Sequence, residues 1–126
     1  MIVQNIHHVA IVASDYEKSK DFYVNKLGFQ VIKEEFRQPQ NDIKLEVKLG
    51  NSTMEIFGKK DPEPNHGKPT RCGMWHLCFY APDLEKTIAE LNELGIATDP
   101  IMVNASNGKR SCFFYDPDGL PLELHE

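Results

Sequence analysis

The chain has 126 residues, enough for the core of one domain but not of two independent ones. With 40% hydrophobic and 26% charged residues its composition is that of an ordinary globular protein, which excludes a wholly disordered chain. The 19 acidic against 14 basic residues give a net charge of −5, which excludes the basic footprint of a partner for nucleic acid or an anionic membrane.

No stretch approaches the roughly 20 apolar residues of a membrane span. The opening MIVQNIHH has no basic region followed by a long apolar segment, so the expected location is the cytoplasm. Cys72, Cys78 and Cys112 are odd in number and form no CxxC pair, so they read as reduced packing residues rather than a disulfide framework or a thiolate zinc site.

In chain order, the apolar run over 6–13 behind His7 and His8 reads as a strand. DYEKSKDFYVNKLG follows from Asp15, with Phe22, Tyr23 and Leu27 on one helical stripe, Ser14 and Glu17 as a capping box, and Leu27-Gly28 as the stop. QVIKEEF (30–36), IKLEVKL (43–49) and TMEIFG (53–58) read as strands, the last two joined by a tight turn at Gly50-Asn51. KKDPEPNHGKPTR (59–71) is proline-rich and polar, a linker.

The series then restarts. A strand over 74–80 contains His76, and DLEKTIAELNELG carries Leu84, Ile88, Leu91 and Leu94 on a helical stripe. PIMV (100–103), RSCFFYD (110–116) and PLELHE (121–126) read as strands, with the turn sequence DPDG at 116–119. His8 precedes Asp15 by seven residues and His76 precedes Asp83 by seven; Glu55 and Glu123 each lie 47 residues after their histidine. One offset of 68 superposes all three. The expected fold class is therefore α+β, a single domain over 1–126 built from two βαβββ modules in tandem: module 1 about 1–58, linker 59–71, module 2 about 72–126.

Because side chains alternate across a strand, parity sorts the candidate residues. If the bulky apolar sets (Val9 and Ile11; Met54 and Ile56; Leu77 and Phe79; Leu122 and Leu124) pack on the helices, then His8, Glu55, His76 and Glu123 all face away from them. Two imidazoles and two carboxylates on such a face suit one divalent ion, Zn, Ni, Co, Mn or Fe, with positions left open for substrate. His7 has the opposite parity and reads as a core-side histidine or one that supports a ligand; His125 and His66 read as terminal and linker residues. Under the same offset Arg110 and Phe114 join the ligand face as candidate substrate contacts, the arginine suited to a carboxylate or phosphate.

The order His-Glu-His-Glu, the two H-x6-D segments, MEIF and the terminal DPDGLPLEL resemble the vicinal oxygen chelate superfamily of glyoxalase I, bleomycin-resistance proteins and extradiol dioxygenases, over essentially the whole chain. The resemblance implies paired βαβββ modules forming a curved mixed sheet around a metal cleft. It also implies His8, Glu55, His76 and Glu123 as ligands and Glu123, with Glu55 as the other candidate, as the group that moves a proton. The implied activity is that of a glyoxalase I-like lyase or isomerase working through an enediolate-type intermediate on a small oxygenated substrate, a thiol hemithioacetal among them. A bleomycin-resistance-like binding protein and an extradiol dioxygenase-like enzyme are the alternatives. Relatives of this fold commonly dimerise, which implies a homodimer.

Overall fold

The computed structural model describes residues 2–65 and 71–126. The chain divides into two compact units, Met1–Glu63 and Pro64–Glu126, and each folds from its own alternating and helical patterns.

In the first unit, β1 (Val9–Ala13) leads into α1, which begins at Tyr16–Lys20 and widens to π-helical bonding over Asp21–Lys26. The Leu27 N–H reaches back five residues to the Phe22 carbonyl at 2.9 Å. Asp15, not Ser14, is the N-cap: its carboxylate accepts from the Lys18 N–H at 3.1 Å. β2 (Gln30–Arg37), β3 (Asp42–Leu49) and β4 (Ser52–Gly58) complete a sheet of order β1-β4-β3-β2, in which β1 lies parallel to β4 and the other pairs are antiparallel. Phe22, Tyr23 and Phe29 pack with Leu45, Val47, Met54 and Ile56 as the buried core. At Gly58 the helix comes so close that a Cβ would stand 2.7 Å from the Tyr16 Cβ, so only glycine fits.

The second unit repeats this plan. β5 (Leu77–Tyr80) leads to α2 (Leu84–Glu93), capped by Asp83 accepting from the Lys86 N–H at 3.1 Å, and β6 (Met102–Val103), β7 (Arg110–Tyr115) and β8 (Pro121–His125) follow. The sheet order is β5-β8-β7-β6, with β5 parallel to β8. Both helices end at the expected Leu-Gly, where Gly28 and Gly95 have φ of 81° and 80°. The core is Ala81, Leu84, Leu91, Ile96, Cys112, Phe114, Leu122 and Leu124. Leu94, expected on the buried stripe, is 43% exposed; Ile96, past the helix stop, takes that place. β6 is shorter than the four residues of PIMV.

One register differs from the expectation. In β3–β4, Glu46 lies opposite Glu55, but in β7–β8 it is Phe113 that lies opposite Glu123. The two residues 50 and 51 separate the paired Leu49 and Ser52, whereas the Asp116 N–H meets the Leu120 carbonyl at 3.1 Å across three residues. One extra residue in the turn slips β7 by one relative to β3, and a slip of one reverses every side chain. Phe114 is consequently core, 1% exposed and opposite Leu122, not on the ligand face. Arg110 turns to the helix side as well, where it pairs with Glu85 of α2 and with Glu126. Those carboxylates, Glu126 first, raise its already basic guanidinium further. The extended charge network ties β7 to α2 and to the last residue of the chain, which removes the basis for reading Arg110 and Phe114 as substrate contacts beside the ligands.

Candidate functional site

The face of each sheet opposite its helix carries one His–Glu pair. His8 and His76 each stand one residue before a strand begins, and in each unit the residue two positions on, Ala10 or Cys78, is the register partner of the glutamate. The parallel pairing thus sets each imidazole diagonally beside its carboxylate, in the same arrangement twice.

In the first unit His8 Nε2 lies 3.3 Å from Glu55 Oε2, with the glutamate side chain only 16% exposed. The other oxygen, Oε1, lies 3.5 Å from Lys44 Nζ, and Lys44 also reaches Glu46 at 3.1 Å. The Glu46 hydrogen bond, helped by the charge of Glu55, outweighs burial and raises Lys44 above its ordinary value, so the ammonium persists. His7 is exposed rather than core-side. Its Nδ1 lies 2.9 Å from the His8 Nδ1, and its carbonyl accepts from the Thr53 hydroxyl at 3.0 Å. One imidazole of the pair must therefore donate to the other, which couples the His8 tautomer to His7.

In the second unit His76 Nε2 lies 3.9 Å from Glu123 Oε1, the side chains 23% and 16% exposed. The His76 ring is held edge-on between Trp75, at a centroid distance of 4.6 Å, and Phe113, at 5.1 Å. Trp75 and Phe113 in turn stack at 5.8 Å with an interplanar angle of 25°. The His76 Nδ1 is buried and has no hydrogen-bond partner among the described residues. Cys78 hydrogen-bonds Glu123, and burial together with that carboxylate pushes its thiol up to about 12, so it is a neutral donor and not a thiolate. Among the described residues no lysine or arginine pairs with Glu123.

The donor chemistry fits a divalent ion. Ligand atoms about 2.0–2.2 Å from one ion at octahedral or tetrahedral angles stand about 2.8–3.6 Å apart. The His8–Glu55 separation of 3.3 Å lies inside that window, and the His76–Glu123 separation of 3.9 Å lies just outside it. The structure brings the four residues together as two pairs, one per unit, and among the described residues no three His, Cys, Asp or Glu side chains converge as a metal-binding group. Phe113 and Lys44 are the residues missed by parity alone; cross-strand register, set by turn length, is the signal that reveals them. His125 faces Tyr80 in register, its Nδ1 2.6 Å from the Glu126 carbonyl oxygen, and His66 lies outside the described residues. All three cysteines are free, but only Cys112 is a buried packing residue; Cys72 and Cys78 are exposed. No helix among the described residues is long and apolar enough to cross a membrane.

A model of the Glyoxalase/Bleomycin resistance protein/Dioxygenase superfamily matches residues 5–124. The chain is 49% identical over 127 residues to the uncharacterized protein YwkD of Bacillus subtilis, covering 100% of this chain and 99% of that protein. It is 29% identical over 130 residues to the mitochondrial methylmalonyl-CoA epimerase of Bos taurus, covering 96% of this chain and 73% of the epimerase. Among solved structures, the glyoxalase family protein from Enterococcus faecalis superposes with a TM-score of 0.93 at 50% identity, over 100% of both chains. The α+β expectation, two βαβββ modules in tandem, is the architecture of this chain and the one that superposes on the Enterococcus faecalis protein.

Proposed function

The chain belongs to the Glyoxalase/Bleomycin resistance protein/Dioxygenase superfamily, and from that premise we propose that it is a divalent-metal-dependent enzyme of glyoxalase I-like type. Its substrate is a small molecule with oxygens on adjacent carbons, such as a thiol hemithioacetal, converted through an enediolate-type intermediate. The observation that carries the proposal is the His–Glu pair repeated on the open face of each unit. His8 with Glu55 and His76 with Glu123, from one chain or from two chains of a homodimer, supply two nitrogens and two carboxylates for Zn, Ni, Co, Mn or Fe. When bound, such an ion supplies Lewis-acid polarisation of the substrate oxygens.

The two carboxylates differ in their surroundings, and this assigns them different tasks. Lys44 holds one oxygen of Glu55 and neutralises part of its charge, which fixes its orientation and suits it to a ligand. Glu123 sits among His76, the Cys78 thiol and the Phe113 ring, with no such cation beside it among the described residues. It is the group to take a proton from the carbon beside a carbonyl and return it to the neighbouring carbon. A glyoxalase I needs this transfer between neighbouring carbons, whereas an epimerase, as the bovine relative is named, shares only the removal of a proton beside a carbonyl and returns it to the same carbon from the other face.

The test is proton exchange followed by NMR in D2O, with metal-loaded protein and a 2-oxoaldehyde hemithioacetal. Turnover with deuterium at the receiving carbon is expected, reduced about 10²–10⁴-fold by Glu123→Gln. Exchange untouched by that substitution would remove Glu123 from the role. The stacked Trp75 and Phe113 rings favour one second reading, a protein that binds a flat small molecule without turning it over. Stoichiometric binding by metal-free protein, with no exchange, separates the two.

A further inference from the structure

We infer that Arg37 and Lys59 form a subsite for an oxyanion, a carboxylate or phosphate, carried by the substrate of the His8–Glu55 centre. The inference rests on the metal-site reading above and concerns the first unit alone. Register places Arg37 opposite Asp42, Lys44 opposite Phe57 and Glu46 opposite Glu55, so all of these share the open face with His8. The charges on this face sort by position. Lys33 pairs with Glu35 at 3.4 Å and is balanced. Lys44 alone serves two carboxylates, Glu46 and Glu55, which leaves an excess negative charge at the His8 end, where a cation belongs. At the other end two cations share one carboxylate: Arg37 binds Asp42 through Nε and Nη2, both at 2.7 Å, and Lys59 Nζ adds a third bond at 2.9 Å.

Asp42 is 2% exposed and fully engaged, whereas the Arg37 and Lys59 side chains remain 29% and 44% exposed. The bidentate arginine already satisfies both carboxylate oxygens, so the lysine brings a positive charge that the fold does not need for neutrality. Among the described residues, Nη1 of Arg37 and the remaining ammonium hydrogens of Lys59 are the donors left for a ligand. Both cations are held over the Phe57 ring, the guanidinium carbon 4.6 Å and the ammonium 5.8 Å from its centroid, so they are pre-positioned rather than floating. Phe57 follows Glu55 by one pleat repeat along β4, about 7 Å, and the charge of Glu55 contributes to raising Arg37. A substrate holding two oxygens at the His8–Glu55 centre therefore meets the cations a few bonds further along its chain. The class this selects is a 2-hydroxy or 2-oxo compound ending in a carboxylate or a phosphate.

The experiment is calorimetric titration of Mn(II)-loaded protein with 2-hydroxyglutarate, 3-phosphoglycerate and 2-hydroxybutyrate. All three present the same adjacent oxygens, and the last lacks the distal anion. Tighter binding of 2-hydroxyglutarate or 3-phosphoglycerate by about tenfold or more is expected, and whichever of them gains identifies carboxylate or phosphate. Lys59→Gln, which leaves the Arg37–Asp42 pair intact, should reduce that preference at least severalfold, and Asp42→Asn, which frees both cations, should increase it in protein shown to be folded by circular dichroism. No preference in the parent protein, or one unchanged by Lys59→Gln, overturns the inference. If the protein takes up no Mn(II), the metal reading fails separately. The same titrations on metal-free protein then decide the subsite: a Lys59-dependent preference upholds it and no preference overturns it.

Discussion

Adjacent phenylalanines on β7 should respond in opposite ways to truncation. Phe114 is 1% exposed and packs opposite Leu122 with Phe79 nearby, at a ring-centroid distance of 6.5 Å. Burying a phenyl ring removes about 150 Å² from water, worth about 4 kcal/mol at roughly 25 cal/mol per Å². That agrees with the 3–5 kcal/mol range for Phe→Ala in cores. A domain of this size has about 5–15 kcal/mol in all, so Phe114→Ala should lower the thermal midpoint by about 10 °C or more, yet leave Mn(II) affinity within about twofold in the folded fraction. Phe113 is half-buried and makes the ring contacts to Trp75 and His76. Phe113→Ala should cost about 1 kcal/mol, while altering the emission of Trp75, the only tryptophan, and weakening metal uptake through a loosened His76. Urea unfolding monitored by circular dichroism, beside a Mn(II) titration, reads both effects. If Phe113→Ala proves the more destabilising of the two, or Phe114→Ala abolishes metal binding in folded protein, the one-residue slip of β7 is wrong.

Three other outcomes follow from local geometry. Gly58→Ala drives a methyl to 2.7 Å from the Tyr16 Cβ and should cost about 1–3 kcal/mol, measured by chemical denaturation; a neutral effect would show that α1 does not lie against β4 as described. Asp42 is held well below the ordinary carboxylate value by Arg37 first and Lys59 second. A depressed folded value gives stability that is present above the unfolded value of about 4 and is lost as pH falls toward the folded one. The thermal midpoint should therefore drop below about pH 4, with a shallower fall in Asp42→Asn, and equal acid slopes in the two proteins would contradict the pairing. Cys78, exposed yet pushed up to about 12 by burial and the Glu123 carboxylate, should alkylate slowly at pH 8 and faster in Glu123→Gln, as mass spectrometry of iodoacetamide-treated protein will report.

Much of this architecture is legible in the amino-acid order because the physics is local. Alternation of Val9, Ile11 and Ala13, or of Leu122 and Leu124, is enough to orient a strand, and Leu-Gly ends both helices since glycine takes the positive φ there. The inward-facing partners of His8, Glu55 and Glu123 follow from the same alternation. What escapes is non-local. Arg110 and Phe114 are assigned to the wrong face because the β7–β8 turn is one residue longer than its counterpart, and a repeat offset carries no record of where an insertion falls. Ser14 and Glu17 have capping-box spacing, but Asp15 occupies the cap, as its equivalent Asp83 does in the second unit; the duplicated aspartate is the better signal. Lys44 and Phe113 emerge only when the cross-strand partners of the glutamates are known.

The most direct test of the paired His–Glu centre is elemental analysis of protein reconstituted separately with each candidate ion and then desalted. Alongside it belong His76→Ala and Glu123→Gln from the second unit and Glu55→Gln from the first. One tightly held divalent ion per chain in the parent protein, lost or much weakened in variants from either unit, is the result expected if both pairs serve one ion. Retention in all three variants, or no uptake of any ion by the parent protein, would contradict it.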